Sequence, residues 1–590
     1  MSQKRDYTLM KSSKRSSLIK SGVLSMLVCL GTQMVQANEN TSTSNEVEVK
    51  TLQSTITGTV LDDTGQPLPG ANVVEKGTTN GTQTDFDGNY TLNVSDDATL
   101  VFSYIGFKSN EVAVNGQTTV NVTLAEDAAA LDEVVVTGYA TQTRGDLTGA
   151  VASVDISEAV KAPITNAAEA LQGRASGVTV TSSGSPGGSP TIRIRGFGTS
   201  NSNGPLYIID GVQTDDASIL NNINPADIKQ MNVLKDGAAS IYGARASNGV
   251  VIITTKNGGY NMAQAEFKLD TYTGFSQVTN LPDVLNAEQH GNMIFQSLAN
   301  VNADVTHPQY GSGATPVIPN TLLGTPTTVT RRPDGSTWFD DIFRTAITQN
   351  FNFSAENGSE SGKYAFSASY LNRQGTQIET FYKRAAIRLN SEFKIGKRLT
   401  VGQHLNVSFS NTRSGNQRDL GGNPLALAFR NSPLLPAFAD DGSYTGTYSN
   451  ATGLSNPTNP VADLERASDD FNKNFRVLGD VYLAWEIIDG LTAKTTIGGD
   501  IQAFNSRAFL ALNPEHSEAR TTNTLTEENF DSYNYTWSNT LNYNKQFGDH
   551  SLNALLGIEA VETRFKGNSV SVNGFLFETP DFYLLNNGTG

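Results

Sequence analysis

From residue 264 onward, hydrophobic and polar positions alternate in runs too long for an ordinary strand. Val401, Leu405, Val407 and Phe409 alternate with Thr400, Gly402, His404, Asn406, Ser408 and Ser410. Phe475, Val477, Val481, Leu483, Trp485 and Ile487 alternate with positions that include Arg476, Asp480 and Glu486. Successive side chains of a strand point to opposite faces, so each run carries one apolar face. Each is longer than ~10 residues, against ~5–6 in a usual globular strand. With 264–276, 346–356, 363–373, 381–394, 491–505, 530–546 and 550–565, the pattern predicts about nine such strands. Their connections alternate in length. Tight turns at Asn357 to Gly362, Gly396-Lys397, Asp489-Gly490 and Gly548-Asp549 are interleaved with the long segments 277–345, 412–473 and 506–529, and 374–380 is the short member of the long set. Short turns at one rim and long loops at the other predict an antiparallel transmembrane β-barrel, with Tyr533, Tyr535, Trp537 and Tyr543 near strand ends. A soluble sandwich or propeller predicts neither feature.

The N-terminal half is patterned differently. Short apolar runs (Thr55 to Val60, Ala71 to Val74, Tyr90 to Val94, Leu100 to Ser103, Val120 to Leu124) alternate with turn clusters at Asp62 to Gly65, Gly77 to Gly81 and Asp87-Gly88-Asn89. This spacing predicts a small β-sandwich over 54–125. The acidic run Asp85 to Asn89 lacks the glycine position and the distant Glu of a calcium loop, so it reads as a hairpin turn. A small-residue linker then leads into Leu131-Asp132-Glu133-Val134-Val135-Val136-Thr137-Gly138-Tyr139. The β-branched run favours an extended backbone and has no apparent local strand to pair with. Either it adds to the edge of a partner's sheet, or it is a structural strand of a neighbouring domain. Residues 140–258 read as a compact α/β region. Helix is expected at Ala168 to Leu171 and Pro225 to Met231, and buried strand at Ile208-Ile209 and Val250 to Thr254. In Thr191 to Gly196 alternation sets Ile192 and Ile194 on one face and Arg193 and Arg195 on the other; covered arginines need carboxylate partners, with Glu356 and Glu392 as candidates.

Composition adds an address. Six cations and Asp6 precede or flank the apolar run Val23 to Leu30, and Val35-Gln36-Ala37 ends in a small-x-small site, so 1–37 reads as a secretory signal peptide and 38–53 as a polar leader. Removing the signal takes the formal charge from −16 to −21. So acidic a chain is a poor ligand for nucleic-acid phosphates. The single cysteine, Cys29, lies within the signal, which excludes disulfides and thiolate metal sites from the mature chain. His290, His307, His404, His516 and His550 are scattered without metal-ligand spacing. No Gly-x-Ser-x-Gly elbow occurs, and the glycines at 183–188 do not follow a nucleotide-binding pattern. No catalytic residue, metal site or cofactor is expected.

In sequence order, a signal, a sandwich, a valine segment, a glycine-rich α/β region and a barrel resemble the SusC/RagA family of TonB-dependent outer-membrane transporters over essentially all of 56–590. The matching motifs are Ile56-Thr57-Gly58-Thr59-Val60 through Pro69-Gly70-Ala71, Leu131 to Tyr139, Ile194-Arg195-Gly196, Pro205 to Gly211, Val233-Leu234-Lys235-Asp236, Ile241-Tyr242-Gly243, Asn248 to Lys256, and Trp338-Phe339-Asp340 to Gln349-Asn350. Gly237 departs from the family, which has alanine there. The resemblance implies a multidomain fold. A carboxypeptidase-regulatory-like sandwich (54–125) is followed by a linker with a TonB-box-like segment (126–139) and a plug domain (140–258). Last comes the N-terminal part of a transmembrane β-barrel (259–590), because the family's barrel has about 22 strands.

The resemblance also implies active import of an oligosaccharide or oligopeptide, not enzymatic catalysis. TonB, energised by its ExbB/ExbD complex, would couple through Asp132, Glu133, Val134, Val135, Val136 and Thr137. A SusD-like surface lipoprotein would lid the barrel in the outer-membrane lipid, with sandwich and plug on the periplasmic side. Arg193 and Arg195 are expected to join plug to barrel. The alternative is an outer-membrane receptor that binds and signals without transport.

Overall fold

The computed structural model describes residues 53–590 except 77, 79, 96, 105–106, 108–109, 126–133, 138–139, 144–148, 183, 415–422, 455 and 549. The expected signal, nearly all of the leader, and Asp132 and Glu133 therefore lie outside the described residues. The chain divides into two compact units at Leu131 and Asp132.

In the first unit the described strands are β1 (Gln53–Asp62), β2 (Asn72–Glu75), β3 (Gly81–Gln83), β4 (Asn89–Ser95), β5 (Thr99–Ser103), β6 (Asn110–Ala113) and β7 (Val122–Leu124). They form two sheets, β4-β1-β7 and β3-β2-β5-β6. Alternate positions of β1, β4 and β5 (Ile56 and Val60; Tyr90, Leu92 and Val94; Leu100 and Phe102) are buried and fill the space between the sheets. Glycine is required at position 58, where a Cβ would stand 1.9 Å from the Val120 carbonyl oxygen. The Tyr90 hydroxyl donates to that same oxygen at 2.9 Å. The Asp85 carboxylate accepts from the backbone N–H groups of Asp87 (3.0 Å) and Asn89 (2.8 Å), so the acidic run is a self-capped hairpin turn.

The second unit begins with a hairpin, β8 (Val134–Thr137) against β9 (Ala140–Thr143). This corrects the expectation that the valine run has nothing local to pair with. Its partner is the polar Ala140-Thr141-Gln142-Thr143, which carries no apolar pattern to announce a strand. There follow β10 (Val151–Asp155), β11 (Val178–Thr181), β12 (Thr191–Ile194), β13 (Leu206–Ile209), β14 (Val212–Thr214), β15 (Ile228–Leu234) and β16 (Val250–Thr255). Five of these form the sheet β10-β15-β16-β13-β14, while β11 and β12 pair separately. The central strands are apolar at consecutive positions because both faces are covered. Tyr207, Ile209, Val251 and Ile253 enter one core; Leu206, Ile208, Val250 and Ile252 enter the other.

Within this sheet lies a second correction. Only Pro225–Asp227 is helical, started by Asn224, whose side chain accepts from the Ala226 N–H. From Ile228 the chain is strand, held between β10 and β16, and pairing on both edges overrides the helical reading of Pro225 to Met231.

The remainder is one antiparallel sheet. Its strands are β17 (Glu266–Ser276), β20 (Ala346–Gly358), β21 (Gly362–Gln374), β22 (Phe381–Ile395), β23 (Leu399–Arg413), β24 (Phe471–Ile488), β25 (Leu491–Leu510), β26 (Thr524–Phe547) and β27 (His550–Asn573). The labels β18 (Thr306–His307) and β19 (Gly311–Ser312) belong to a small ladder inside the first long loop. The large strands pair in chain order from β17 to β27, as in the wall of an incomplete barrel. All nine match expected segments.

The wall's two faces are inverted relative to a soluble protein. Ile387, Leu389, Phe409, Val481, Trp485, Ile497 and Trp537 are exposed. Arg384, Arg388, Asn390, Asn406, Ser408, Arg476, Asp480, Asp500 and Asn534 are buried. No helix among the described residues is long and apolar enough to cross a membrane. The long loops pack on one another around Phe295, Tyr310, Trp338, Phe339, Leu435 and Leu454.

Candidate functional site at the contact of plug and barrel wall

The buried charges of the wall converge on the α/β region. Strand β22 alternates strictly: Ala385, Ile387 and Leu389 point out, while Tyr382, Arg384, Arg388 and Asn390 point in. Tyr382 Oη donates to the Asn221 carbonyl at 2.8 Å. Arg384 Nη1 donates to the carbonyls of Asn221 (2.8 Å) and Ile223 (3.0 Å), at the end of the helical turn Ala217–Asn221, where carbonyl groups lack intrahelical partners. Four residues further along, Arg388 Nη2 donates to Asp210 and to the Thr255 hydroxyl. Asn390 Nδ2 completes the cluster with bonds to Thr255 Oγ1 (2.8 Å) and the Lys256 carbonyl. Asp210 is held in a left-handed backbone conformation (φ 49°) just after β13 and bonds the N–H and hydroxyl of Thr255 at 2.9 and 2.7 Å. One wall arginine thus clamps the ends of β13 and β16 together. Burial pushes the Asp210 carboxyl up, but Arg388 and the other groups around it more than reverse this and hold it below the usual carboxylate range.

A second clamp lies on β24. Arg476 makes a bidentate pair with Asp500 of β25 at 2.7 and 2.6 Å, and its Nη1 reaches Asp216 (2.8 Å) and Ser218 (3.1 Å). Here too burial is outweighed, by Arg476 first, and Asp216 stays below the ordinary range. Around these pairs are bridges that are not ion pairs: Asn224 to Asn352 at 2.8 Å, Gln213 to Glu559 at 2.7 Å, Arg373 to Thr165 at 3.1 Å, and Asn534 to the Gln213 carbonyl. Close approach is possible because the wall is locally bare. A Cβ on Gly498 of β25 would come within 2.7 Å of Val212. Asp227, buried between plug and wall, has no such dominating clamp, and burial pushes its carboxyl up.

The residues singled out from the sequence sit elsewhere. The Arg193 guanidinium stacks over the Phe197 ring at 4.4 Å. Arg195 pairs with Asp236 of the plug itself at 2.8 Å, in a largely exposed bridge. Of the candidate acids, Glu392 is bonded by Tyr260 (2.8 Å), Lys363 (3.1 Å) and Tyr482, while Glu356 stands opposite Glu266 in the β17–β20 ladder; neither is paired with Arg193 or Arg195. Among the described residues the ion pairs that cross from plug to wall therefore have the opposite polarity to the expectation, with arginines on the wall and acids on the plug. Arg388 lies on a strand edge-on to Ile387 and Leu389, and a cation on the polar face of so apolar a strand was the signal for it. Of the coupling segment, Val134, Val135, Val136 and Thr137 form β8; no described side chain bears on their role.

Comparison with known proteins follows the same division. Residues 56–136 match the CarboxypepD_reg-like domain, and 143–250 match the TonB-dependent Receptor Plug Domain. TonB-dependent receptor P26 of Formosa agariphila is 34% identical over 550 residues, covering 91% of this chain and 51% of that protein. TonB-dependent receptor SusC of Bacteroides thetaiotaomicron is 36% identical over 484 residues, 76% of this chain and 44% of that one. A structure of the RagAB peptide importer in the open-open state superposes with a TM-score of 0.64 at 25% identity, over 78% of this chain and 52% of that one. The chain belongs to the SusC/RagA family of TonB-dependent receptors. It spans about half the length of the curated relatives it matches. The α/β region is the plug of this SusC/RagA-type receptor, and the nine-stranded sheet is part of its barrel wall.

Proposed function

We propose that this SusC/RagA-type receptor imports an oligosaccharide or oligopeptide across the outer membrane, drawing its energy through TonB, with a SusD-like lipoprotein as lid. The observation that carries the reading is the plug–wall contact. A domain fastened inside the wall by two arginine clamps and several side-chain bridges must break these contacts together to leave its place. An outside force is needed, and an extended segment ahead of the plug gives that force a handle. In this reading TonB captures residues 132–137 by strand addition, displacing β9 as the partner of β8, and tension passes through the 144–150 connection into β10. The β10 strand lies at the edge of the plug sheet, so pulling peels it from β15 before the arginine clamps are loaded. Clamp release then frees β13 and β16 from the wall.

The test is uptake of labelled oligosaccharide and oligopeptide mixtures by cells carrying the full-length protein, with and without a protonophore. Uptake should stop when the gradient collapses while surface binding continues. Uptake that persists without the gradient overturns the reading.

A further inference from the structure

The packed long loops enclose a cavity of about 590 Å³ that takes no part in the plug–wall contact, between the 283–293 segment, the turn 335–338 and the helix Pro424–Arg430 with the residues after it. That volume is in the range of sites for small molecules, ~300–1,000 Å³. Most of the polar groups lining it are already engaged within the protein. Arg332 bonds the carbonyls of Leu435 and Thr337 and the Asp341 carboxylate, and Trp338 Nε1 donates to the Ser432 carbonyl. Ser336 Oγ donates to the Pro333 carbonyl, Thr337 Oγ1 to Asp340, and His290 Nδ1 is bonded to the Tyr310 hydroxyl.

Asn286 Oδ1 accepts from the Gln289 N–H and Asn431 Nδ2 donates to the Leu427 and Thr458 carbonyls, so what remains is apolar surface, two charges and the buried Asn431 Oδ1. Leu285, Met293 and Phe429 are each 43–50% exposed, though they stand beside a well-packed core. Arg430 and Asp283 both line the cavity, and neither is engaged by another side chain among the described residues. A saccharide site would offer a set of free amides and hydroxyls to a ring of hydroxyl groups. A cavity with bare aromatic and aliphatic walls, one free guanidinium and one free carboxylate is complementary to an apolar zwitterion.

We infer that this loop cavity docks the C-terminal end of an oligopeptide, its apolar side chain against Phe429, Met293 and Leu285, its carboxylate on Arg430 and a main-chain N–H or amino group on Asp283. The inference rests on the import reading above and selects peptide over saccharide as the substrate class.

Titration of the purified full-length protein with Gly-Gly-Phe, its C-terminal amide and maltotriose tests it, read both by calorimetry and by the fluorescence of Trp338 in the cavity wall. Gly-Gly-Phe should bind and change the Trp338 signal, and that change should vanish in Trp338→Phe. The amide should bind about tenfold more weakly, as for loss of one charge-assisted hydrogen bond. Arg430→Gln should bring the acid to the affinity of the amide without further weakening the amide, and Phe429→Ala should weaken both. The site is overturned if Gly-Gly-Phe does not bind, if Arg430→Gln leaves its affinity unchanged, or if maltotriose gives the same Trp338 response. If the site fails while protonophore-sensitive uptake persists, the import reading stands. If the peptide binds as described but uptake ignores the gradient, the import reading falls and the site remains.

Discussion

Arg388 shows what a buried charge does in this fold. Its side chain and that of Asp210 are each about 5% exposed, so removing one leaves the other desolvated and uncompensated. Breaking such a pair costs about 3–5 kcal/mol, whereas removing both members costs much less. Arg388→Ala should therefore loosen the plug strongly, and Arg388→Ala with Asp210→Ala should recover much of the loss. Protease access to the plug across a urea series measures this; equal loosening in the single and double variants would show that the pair is not the fastening. Arg476 should behave differently. Asp500 keeps it charged and in place on the wall, so Asp216→Asn releases the plug from one clamp while the wall stays intact. The expected result is a plug more easily digested in a barrel of unchanged thermal stability. None of these pairs could have been assigned in advance, because Arg476 and Asp216 are 260 residues apart and Arg388 and Asp210 are 178 apart. A strand's period tells which face a residue occupies and says nothing about which carboxylate comes to meet it. Arg193 lies on β12, but Arg195 follows the strand in a left-handed conformation (φ 61°), so the two do not share a strand face, and their neighbours come from the plug's own folding: Phe197 and Asp236.

At the scale of elements, the legible parts were those whose period repeats often enough to leave one interpretation. The wall strands β20 to β27 run 13 to 24 residues, and alternation over that length can belong to nothing else. The short sandwich strands β3 and β6 have only 3 and 4 residues, lie at sheet edges and bury almost nothing, so they left no trace in the pattern. The four-residue β9, Ala-Thr-Gln-Thr, has no apolar alternation in its sequence, and with it went the view of β8 as unpaired. Because β8 already has a partner, proline at Val135 carries a sharper test than strand preference does. It removes a backbone donor and fixes φ, which prevents pairing with either β9 or an incoming strand. If β8 is the coupling strand, Val135→Pro abolishes uptake while substrate binding and membrane abundance stay normal; lower abundance would mark it as a structural strand instead.

The loop elements carry a pH dependence of their own. Burial lowers the His290 pKa from 6.5, with His307 adding to the effect, and burial lowers His307 as well. The neutral form of both is favoured in the packed loops, where their rings lie against Tyr310, so the unfolded chain takes up protons first on acidification. Their contribution is complete above about pH 6.5 and is lost as the pH falls through the depressed folded values. Amide exchange in Ala287–Asn300 at pH 7 and pH 5, corrected for intrinsic rates, should show protection falling at pH 5. His290→Gln should reduce that difference, and an unchanged difference would place the sensitivity elsewhere.

For the whole molecule, stability depends on a solvent arrangement that the strand pattern states directly. Apolar side chains cover the outside of the wall, and arginines, acids and amides fill the space between wall and plug. In water this is backwards; in a bilayer it is the only arrangement in which backbone groups pair within the sheet and charges stay away from hydrocarbon. Neighbouring positions of one strand therefore answer oppositely to the same chemistry. Ile387 is 55% exposed near the middle of β22, and Arg388, next in sequence, is buried against Asp210. Ile387→Lys should cost about 2–4 kcal/mol of barrel stability, the cost of a cation on the lipid face at the midplane. Its plug should remain as resistant to protease as in the unaltered protein once the barrel has formed. Arg388→Leu should give the converse: a barrel that assembles in normal amount around a plug that is easily digested. Folding yield into lipid vesicles together with plug proteolysis separates the two effects. A normal yield for Ile387→Lys would mean that this face of the wall does not meet lipid, and the outward orientation of β20 to β26 would have to be assigned to another apolar surface.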